Sequence, residues 1–319
     1  MNGPAPTSRN LLVTTERTGG VTSHRLTSGD GTGLRLHAAN DEGEEAVLFV
    51  HGATFGARPA FATPGYSWLR ACGDDGRAAY ALDVRGYGDS DRPDAMDDPP
   101  GGEPPVRVDT AADDLDAALA FVRERHPTVH LVGYSWGSMI AGVACERGAA
   151  VDSVTLYAPV YQPAPERVSD FDPGDPPAAR RTVTRTEARE RWDAHLPEPA
   201  RYRDDAAFDA FWTALHDGQG VTADEPTIEA PNGTLADLTA AAEGDLAYDA
   251  AGITAPALVV RGSLDRTATR PDALGLFDAL GSEDRAYAEI AGGSHFLGLE
   301  RRREALFRRV AAFHDRIGR

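Results

Sequence analysis

The stretch Val129–Met139, "VHLVGYSWGSM", places a serine between two glycines where one kind of sequence gives way to another. The residues before Gly133 are apolar, as in a buried strand of a parallel sheet. Residues 136–148 have the pattern of a helix that ends in glycine. The pattern Gly133-x-Ser135-x-Gly137 therefore falls on a sharp turn from strand to helix. Such a turn lifts the serine hydroxyl above the sheet edge and leaves no room for a Cβ at either glycine.

The same four letters, GYSW, also occur at residues 65–68 in "FATPGYSWLRA". No strand precedes that copy, and Leu69 stands where the second glycine of the motif would be. We interpret Ser67 as a capping or surface residue of an ordinary helix. Ser135 is therefore the candidate nucleophile, and the amides at the start of its helix favour negative charge there.

A serine hydroxyl is a poor nucleophile until a base takes its proton. His295 follows the late strand-like run "AYAEI" in a glycine-rich turn, and we predict that it is this base. Asp265 follows the buried run "PALVVRG" and is the predicted partner of the imidazole, with Asp272 and Asp170 as alternative acids. Carboxyl ends of parallel strands lie at the sheet edge where α/β folds bind ligands, so these side chains should meet Ser135 there.

A tetrahedral intermediate also needs donors for its oxyanion. The segment "FVHGATFGAR" leaves its strand at His51-Gly52, and Trp136 directly follows the candidate nucleophile. We predict that the backbone amides of Ala53 and Trp136 are the two donors. Because backbone groups donate, side-chain identity does not separate Ala53 from Thr54. We interpret His51 as a residue that orients the loop.

Strand-like runs alternate with helical patterns along most of the chain, which predicts an α/β fold with a mostly parallel sheet flanked by helices. Four regions are predicted: a flexible N-terminal arm (1–20), a first part of the core (21–160), a helical cap (161–248) and a second part of the core (249–319). The cap interrupts the alternation of strands and helices, and we interpret it as an insertion between two core strands.

Two helical patterns stand out in this insertion. "TRTEARERWDAHL" begins with a capping box, formed by Thr184 and Glu187. "DDAAFDAFWTALHDG" places Phe208, Phe211 and Trp212 on one helix face, and core packing explains this stripe better than substrate contact. The arginine runs "AARR" and "RRRE" are interpreted as solvated helix faces.

Five segments, taken in order, resemble the signature of the α/β-hydrolase superfamily: "VLFVHGATFG", "ALDVRGYGDSDRP", "LVGYSWGSM", "LVVRGSLDRTA" and "GGSHF". The resemblance extends from about Val21 to the C-terminus, apart from the cap, which it implies is inserted after the sixth core strand. It implies that Asp83 and Arg85 belong to a structural turn. It also implies a catalytic set, namely Ser135, Asp265 and His295, with Ala53 and Trp136 as backbone donors.

The expected function is that of a serine hydrolase, which forms an acyl-enzyme with a small-molecule carboxylic ester or lactone. The serine at the elbow argues against haloalkane dehalogenases and epoxide hydrolases, which by family resemblance have an aspartate there. An acyltransferase and an amide or carbon–carbon bond hydrolase remain alternatives, because the three side chains do not dictate the leaving group. A ligand-binding protein without catalysis is a further alternative.

The chain carries 50 acidic residues against 32 cationic ones, all of them arginine, and its net charge is −18. This charge argues against binding to nucleic acid or to acidic membranes. A GC-rich genome and adaptation to high salt explain it equally well. The chain has no apolar run of bilayer length and no secretory signal at its start, so a soluble, cytoplasmic protein is expected.

No metal or cofactor is expected. Cys72 and Cys145 are too few for a disulfide framework and lack the spacing of a metal site. His126 and His130 have the spacing of a helical zinc site, but Pro127 lies between them and the second histidine opens a strand. The glycine-rich segment "SGDGTG" is interpreted as a hairpin turn and not as a phosphate-binding loop.

Overall fold

A computed structural model describes residues 15–18, 20–216 and 227–318, and a nine-stranded sheet forms its centre. The strands, in chain order, are β1 (Thr15–Thr18), β2 (Val21–Thr27), β3 (Gly33–Asn40), β4 (Glu45–Val50), β5 (Ala78–Asp83), β6 (Thr128–Tyr134), β7 (Ser153–Tyr157), β8 (Arg180–Thr184), β9 (Thr227–Pro231), β10 (Ala257–Gly262) and β11 (Arg285–Ile290). The helices are α1 (Ala57–Phe61), α2 (Trp68–Asp74), α3 (Val108–Arg123), α4 (Trp136–Glu146), α5 (Arg185–Asp193), α6 (Pro199–Tyr202), α7 (Asp205–His216), α8 (Gly233–Glu243), α9 (Arg270–Ala279) and α10 (Arg303–Ile317).

The sheet has the strand order β1-β2-β3-β5-β4-β6-β7-β10-β11. The pairs from β1 to β5 are antiparallel, and all pairs from β5 to β11 are parallel. This arrangement confirms the α/β class and the mostly parallel sheet. It also brings the carboxyl ends of β6, β10 and β11 to one edge, where the candidate residues follow.

Helices cover both faces of the sheet because the central strands are apolar on both sides. In β4, Leu48 faces one cluster of buried residues while Val47 and Phe49 face the other. The first cluster includes residues of α3, α4, α8 and α9, and the second includes residues of α1, α2 and α10. The helices on both faces fix the sheet edge that carries the candidate site.

The N-terminal region differs in part from its prediction. Thr15–Thr18 form β1, which pairs antiparallel with β2, so these four residues belong to the sheet and not to a flexible arm. Residues 1–14 and 19 lie outside the described residues. The predicted hairpin of β2 and β3 is present, with a turn at residues 28–32.

Between β7 and β10 the chain leaves the nine-stranded sheet; β7 is the sixth strand counted from β2. This insertion contains α5 to α8, but also a two-stranded antiparallel sheet of β8 and β9, which the prediction of a helical segment missed. The capping box is present: the Thr184 hydroxyl accepts from the Glu187 amide (3.2 Å), and the Glu187 carboxylate accepts from the Thr184 amide (2.7 Å).

The aromatic residues of the insertion pack against the core. Phe208, Phe211 and Trp212 are buried in one cluster with Phe55 and Phe296 of the core loops. Phe296 directly follows His295, so this packing holds the insertion against the loop of the predicted base. Core packing, the interpretation favoured above, accounts for most of the stripe.

Candidate active site

Ser135 lies on the turn between β6 and α4, as the sequence predicts. Its φ of 56° and ψ of −121° are a strained backbone for a residue that carries a Cβ. The Ser135 amide donates to the Tyr157 carbonyl at the end of β7 (2.9 Å), and the Ser135 carbonyl accepts from the Ser138 amide (2.8 Å). Hydrogen bonds to a neighbouring strand and to the following helix therefore hold the strained turn.

The two glycines of the turn are required by close backbone packing. A Cβ on Gly133 would lie 2.4 Å from the carbonyl oxygen of Gly137. A Cβ on Gly137 would lie 2.4 Å from the carbonyl oxygen of Val50 at the end of β4. Both contacts are with backbone atoms, which cannot swing aside, so the prediction that neither position tolerates a Cβ is confirmed.

The structure brings Ser135, His295 and Asp265 into one hydrogen-bonded line. His295 Nε2 lies 2.9 Å from Ser135 Oγ, and His295 Nδ1 lies 2.9 Å from Asp265 Oδ2. An ionised carboxylate only accepts, so Nδ1 carries the proton and Nε2 presents its lone pair to the serine hydroxyl. The three residues are only 4–6% exposed.

Asp265 is fixed on the loop after β10. Its Oδ1 accepts from the amides of Thr267 and Ala268 (2.9 Å each), which leaves Oδ2 for the imidazole. The last residue of β10 is Gly262, and a Cβ there would lie 2.2 Å from the carbonyl oxygen of Gly293. The absence of a side chain at Gly262 thus lets the loops of the acid and the base touch.

The alternative acids lie elsewhere. Asp272 accepts from the amides of Tyr161 and Gln162 (2.7–3.3 Å) and so ties the exit of β7 to the start of α9. Asp170 pairs with Arg167 (3.0 Å). Asp265 is the carboxylate that the structure places at the ring of the predicted base.

Two tyrosines hold the loop that carries His295. The Tyr134 hydroxyl donates to the His295 carbonyl (2.9 Å), and the Tyr157 hydroxyl donates to the same carbonyl (3.3 Å). The Tyr157 oxygen also accepts from the Gly298 amide (3.1 Å). Neither tyrosine was predicted as a site residue; the position of Tyr134 inside the glycine–serine motif was the available signal.

Glu300, also missed from the sequence, is fully buried behind the same loop. Its carboxylate accepts from the Ser294 amide (2.9 Å), from the Ser294 hydroxyl, and from the Trp192 indole of the insertion (2.9 Å). Burial raises the pKa of Glu300. This carboxylate therefore links the insertion to the residue that precedes His295.

A second imidazole lies at the site. The His195 ring, from the segment after α5, stacks on the His295 ring, and its Nδ1 accepts from the Arg266 amide (3.0 Å). Burial, followed by the neighbouring His295, lowers the pKa of His195 to about 4. The His195 ring is therefore neutral near pH 7, and its 4.0 Å approach to Asp265 is not an ion pair.

His51 shapes the loop that carries the predicted oxyanion donor. The Val84 amide donates to His51 Nε2 (3.1 Å), so Nδ1 holds the proton and donates to the Gly52 carbonyl (2.8 Å). Burial lowers the pKa of His51, which agrees with a neutral ring. These contacts agree with the interpretation of His51 as a residue that orients the loop.

The loop after β4 runs directly beside the candidate nucleophile. A Cβ on Gly52 would lie 2.8 Å from Ser135 Cβ and 3.4 Å from Ser135 Oγ. The backbone of Gly52, the residue before Ala53, therefore lies directly beside the Ser135 side chain. Trp136 is the first residue of α4, so its amide has no acceptor within the helix. Both predicted donors thus belong to backbone that borders Ser135.

Asp83 and Arg85 have structural contacts. The buried Asp83 carboxylate accepts from the amides of Ala57 (2.7 Å) and Asp89 (3.0 Å) and bonds His37 Nε2 (2.7 Å). Arg85 donates to Asp114 (2.6 Å). Within the described residues, His37, Asp83 and Asp89 also form a group with metal-ligand spacing. Both oxygens of the Asp83 carboxylate are already hydrogen-bonded within the protein, Oδ2 to His37 and to the Asp89 amide and Oδ1 to the Ala57 amide.

The two histidines with zinc-like spacing make unrelated contacts. His126 is hydrogen-bonded to the Tyr80 hydroxyl (2.8 Å), and His130 is hydrogen-bonded to the Ser153 hydroxyl (2.8 Å).

Among the helices of the described residues, none combines the length and apolar composition that crossing a bilayer requires.

An apolar pocket opens beside Tyr134 and Phe296, the chain neighbours of Ser135 and His295. Its walls come mainly from core loops and helices, with one contribution from α7 of the insertion. The principal apolar side chains are those of Phe55, Phe61, Trp68, Phe211 and Leu299. Phe211 of the aromatic stripe therefore lines this pocket as well as packing against the core.

Known proteins resemble this chain at two levels. Epoxide hydrolase A of Mycobacterium tuberculosis is 29% identical over 146 residues, which span 44% of this chain and 40% of that relative. The structure of E-2-(acetamidomethylene)succinate hydrolase matches with a TM-score of 0.66 and 19% identity, over 92% of this chain and 98% of the other. An esterase from Exiguobacterium antarcticum matches with a TM-score of 0.66 and 15% identity, over 91% and 98%. At 15–19% sequence identity, the likeness to these two structures shows the fold alone.

A sequence model of the alpha/beta hydrolase family matches residues 47–309, from the strand before the His51 loop to the last helix. The match contains the strained serine turn and both loops that meet it. The strand order and the turn between β6 and α4 agree with this assignment. The chain belongs to the alpha/beta hydrolase family.

Proposed function

We propose that this chain is a serine hydrolase that cleaves small-molecule carboxylic esters or lactones through an acyl-enzyme. The observation that carries the proposal is the line of Ser135, His295 and Asp265, in which both links measure 2.9 Å. Hydrogen-bond contact between a hydroxyl, a base and an orienting acid is the arrangement that activates a serine for acyl transfer.

In the proposed reaction, His295 Nε2 takes the proton of Ser135 as Oγ attacks the ester carbonyl. The imidazolium then returns this proton to the leaving alcohol. In the second half-reaction, a water gives its proton to Nε2 as its oxygen attacks the acyl carbon. The bond from that carbon to Ser135 Oγ then breaks, and Oγ takes the proton back from Nε2 as the carboxylic acid leaves. The Asp265 carboxylate holds the proton on Nδ1 throughout and stabilises the positive ring.

The amides of Trp136 and Ala53 are proposed as donors to the oxyanion. The Trp136 amide is at the positive end of α4 and belongs to the residue after the nucleophile. The Ala53 amide follows Gly52, whose backbone borders the serine side chain. Ala53 is preferred to Thr54, because Thr54 has a left-handed backbone (φ 81°) and a side chain engaged with the insertion.

The elbow residue separates this proposal from the activity of the curated relative. The family resemblance implies an aspartate nucleophile in epoxide hydrolases, whereas this chain has Ser135 at the strained turn. A serine oxygen forms an ester with an acyl carbon, which water then hydrolyses as in other acyl transfers. The apolar pocket beside Tyr134 and Phe296 is proposed to take the hydrocarbon part of the substrate.

The repeated tetrapeptide offers a matched test. Ser135→Ala should lower ester hydrolysis by at least about a thousandfold, because the nucleophile is lost. Ser67→Ala changes the same residue in the other GYSW; there the hydroxyl caps α2 by accepting from the Arg70 amide (3.0 Å). Ser67→Ala should keep the rate of ester hydrolysis and lower the free energy of unfolding by about 1 kcal/mol. Wild-type hydrolysis by the Ser135 variant would refute the proposal.

A further inference from the structure

Two arginines of the insertion meet at one residue of the loop beside Ser135. Arg181 of β8 donates from Nη2 to the hydroxyl of Thr54 (2.7 Å). Arg191 of α5 donates from Nη1 to the same hydroxyl (3.2 Å). Thr54 is two residues past Gly52, whose backbone touches the serine side chain. Both guanidinium groups therefore lie on the loop that borders the candidate nucleophile.

The contacts of these arginines are with neutral groups. Nη1 of Arg181 reaches the Pro231 carbonyl (2.9 Å), the Asn232 amide oxygen (3.0 Å) and the Thr234 hydroxyl (3.4 Å). Within the described part of the chain, neither Arg181 nor Arg191 has a carboxylate within 4.0 Å.

Neighbouring arginines behave differently. On the same helix as Arg191, Arg185 pairs with Asp209 (2.5 Å) and Arg189 pairs with Asp205 (2.5 Å). The chain has 50 acidic residues for 32 arginines, so carboxylates are abundant. The lack of a counter-charge at Arg181 and Arg191 is therefore local to this site.

The two positive charges also lie close together, because both guanidinium groups reach the Thr54 hydroxyl. Burial lowers the pKa of both guanidinium groups; Tyr87 opposes this shift in both, and repulsion from Arg191 adds to it in Arg181. Arginine nevertheless stays protonated in proteins. Two like charges that share one hydroxyl and have no anionic partner repel each other, and an anion placed between them would relieve this repulsion.

A ligand can reach this pair. Arg191 is exposed to solvent, and Arg181 is partly exposed. The charge of Arg191 acts on His195 and on Tyr134, which flank His295 and Ser135. The positive charge of Arg191 therefore acts on side chains that adjoin both His295 and Ser135.

We propose that Arg181 and Arg191 bind a carboxylate of the substrate, so that the preferred esters carry a free carboxylate on the acyl or the alcohol side. This inference rests on the serine hydrolase function proposed above. The planar fork of arginine matches the two oxygens of a carboxylate, and such charge-assisted pairs are stronger than neutral hydrogen bonds. Thr54 holds the forks in place and does not neutralise them.

The kinetic test compares esters of equal chain length. Ethyl pentanoate is the neutral ester, monoethyl glutarate carries a carboxylate on the acyl side, and the pentanoyl ester of glycolic acid carries one on the alcohol side. Wild-type kcat/KM, measured by acid release at constant pH, should favour one carboxylate ester over the neutral ester by at least about tenfold. A phosphate-bearing ester, 2-(pentanoyloxy)ethyl phosphate, should be the poorer anion, and preference for it would overturn the carboxylate assignment.

Three substitutions and one control locate the residues that cause the preference for a carboxylate ester. Arg191→Gln and Arg181→Gln should each reduce the ratio of carboxylate to neutral ester by about tenfold or more. Arg191→Lys, which keeps the charge but loses the fork, should retain part of it. Arg189→Gln, on the same helix but paired with Asp205, should leave the ratio unchanged within twofold. A ratio that is unchanged in both glutamine variants would overturn the proposal.

A binding measurement separates this proposal from the function on which it rests. Calorimetry of monoethyl glutarate with Ser135→Ala should detect binding that Ser135→Ala/Arg191→Gln loses by tenfold or more, with melting temperatures confirming that both variants are folded. Arginine-dependent binding without hydrolysis of any ester by the wild type would refute the proposed function and keep the anion site. Ester hydrolysis by the wild type, together with equal binding of monoethyl glutarate by both variants, would keep the proposed function and refute the anion site.

Discussion

The imidazole of His195 lies parallel to the imidazole of His295, with ring centroids 5.8 Å apart and planes inclined by 12°. His195 belongs to the insertion, and His295 belongs to the last loop of the core. The His195 ring therefore covers one face of the proposed base, while its Nδ1 accepts from the Arg266 amide of the Asp265 loop (3.0 Å). A single side chain from the insertion thus contacts the proposed base and the loop of the proposed acid.

We expect His195→Leu to lower kcat by about tenfold, because the Arg266 amide loses its acceptor and water gains access to the His295 ring. His195→Asn, whose side-chain oxygen can accept from that amide, should recover part of the rate. Since the pKa of His195 is about 4, the acid limb of kcat above pH 5 should keep its position in both variants. Equal kcat values in all three proteins would contradict this role.

Asp265→Asn should reduce kcat by about a thousandfold or more. The asparagine oxygen can retain the amides of Thr267 and Ala268, which turns its NH2 group toward His295 Nδ1. Nδ1 must then accept, and Nε2 holds the proton and cannot act as the base. Steady-state ester hydrolysis measures the loss.

Asp272→Asn is the matched control for the proposed acid, because Asp272 was one of the two alternative acids in the sequence, with Asp170. Its carboxylate accepts from backbone amides at the exit of β7. This variant should unfold at a lower urea concentration than the wild type, and its kcat should stay within a few-fold of the wild-type value. A larger kcat loss in Asp272→Asn than in Asp265→Asn would reverse the assignment of the acid.

Gly137→Ala should destabilise the protein strongly, because the new Cβ would lie 2.4 Å and 2.5 Å from the carbonyl oxygens of Val50 and His51. Gly275→Ala provides the opposite case: Gly275 lies inside α9 and has no atom within 4 Å of a new Cβ. This control should gain about 0.5–1 kcal/mol from the better helix propensity of alanine. Urea unfolding of both variants tests the pair, and a stable, active Gly137→Ala would count against the close packing of the elbow.

The rings of His130 and His314 stack in the core, with centroids 4.2 Å apart. Burial lowers the pKa of His130 from 6.5 to about 4 and holds the pKa of His314 well below its usual value. Glu45 opposes the shift of His130, and Arg77 adds to the shifts of both rings. Both rings are neutral when folded, so the unfolded chain takes up protons first and stability is lost as pH falls from 6.5 toward 4.

His314→Phe should weaken this acid sensitivity, because phenylalanine keeps a stacked ring but cannot bind a proton. Relative to its effect at pH 7.5, the substitution should raise the free energy of unfolding at pH 5 by roughly 2 kcal/mol. Urea unfolding at both pH values measures the difference. An identical effect at pH 5 and pH 7.5 would mean that His314 does not titrate during unfolding.

The sequence was sufficient for the fold and for the residues that now meet at the sheet edge. Ser135, Asp265 and His295 each follow a strand, and the common direction of parallel strands places such residues together. The capping of α2 by Ser67 was predictable in the same way, since the signal is local. Periodicity and motif position carry this kind of information over short stretches of chain.

The parts that were missed depend on contacts between distant segments. The run "AARR" was interpreted as a solvated helix face, but Arg181 lies in β8 and reaches Thr54 of the core. Arg191 stands in a charged helix whose other arginines do form surface ion pairs. Glu300 is a residue type that is seldom buried, and only its three donors explain its position. No local pattern determines where an insertion rests on its core.

Covalent labelling of the native chain with a fluorophosphonate, followed by tryptic peptide mapping, tests directly whether Ser135 is the nucleophile. Residues 126–147 form one tryptic peptide, which contains the proposed nucleophile. We predict one adduct per chain, located on Ser135 by fragment masses, and its loss in Asp265→Asn or His295→Ala. Labelling at Ser67 or at another serine instead, or an active enzyme that the probe leaves unmodified, would contradict the account.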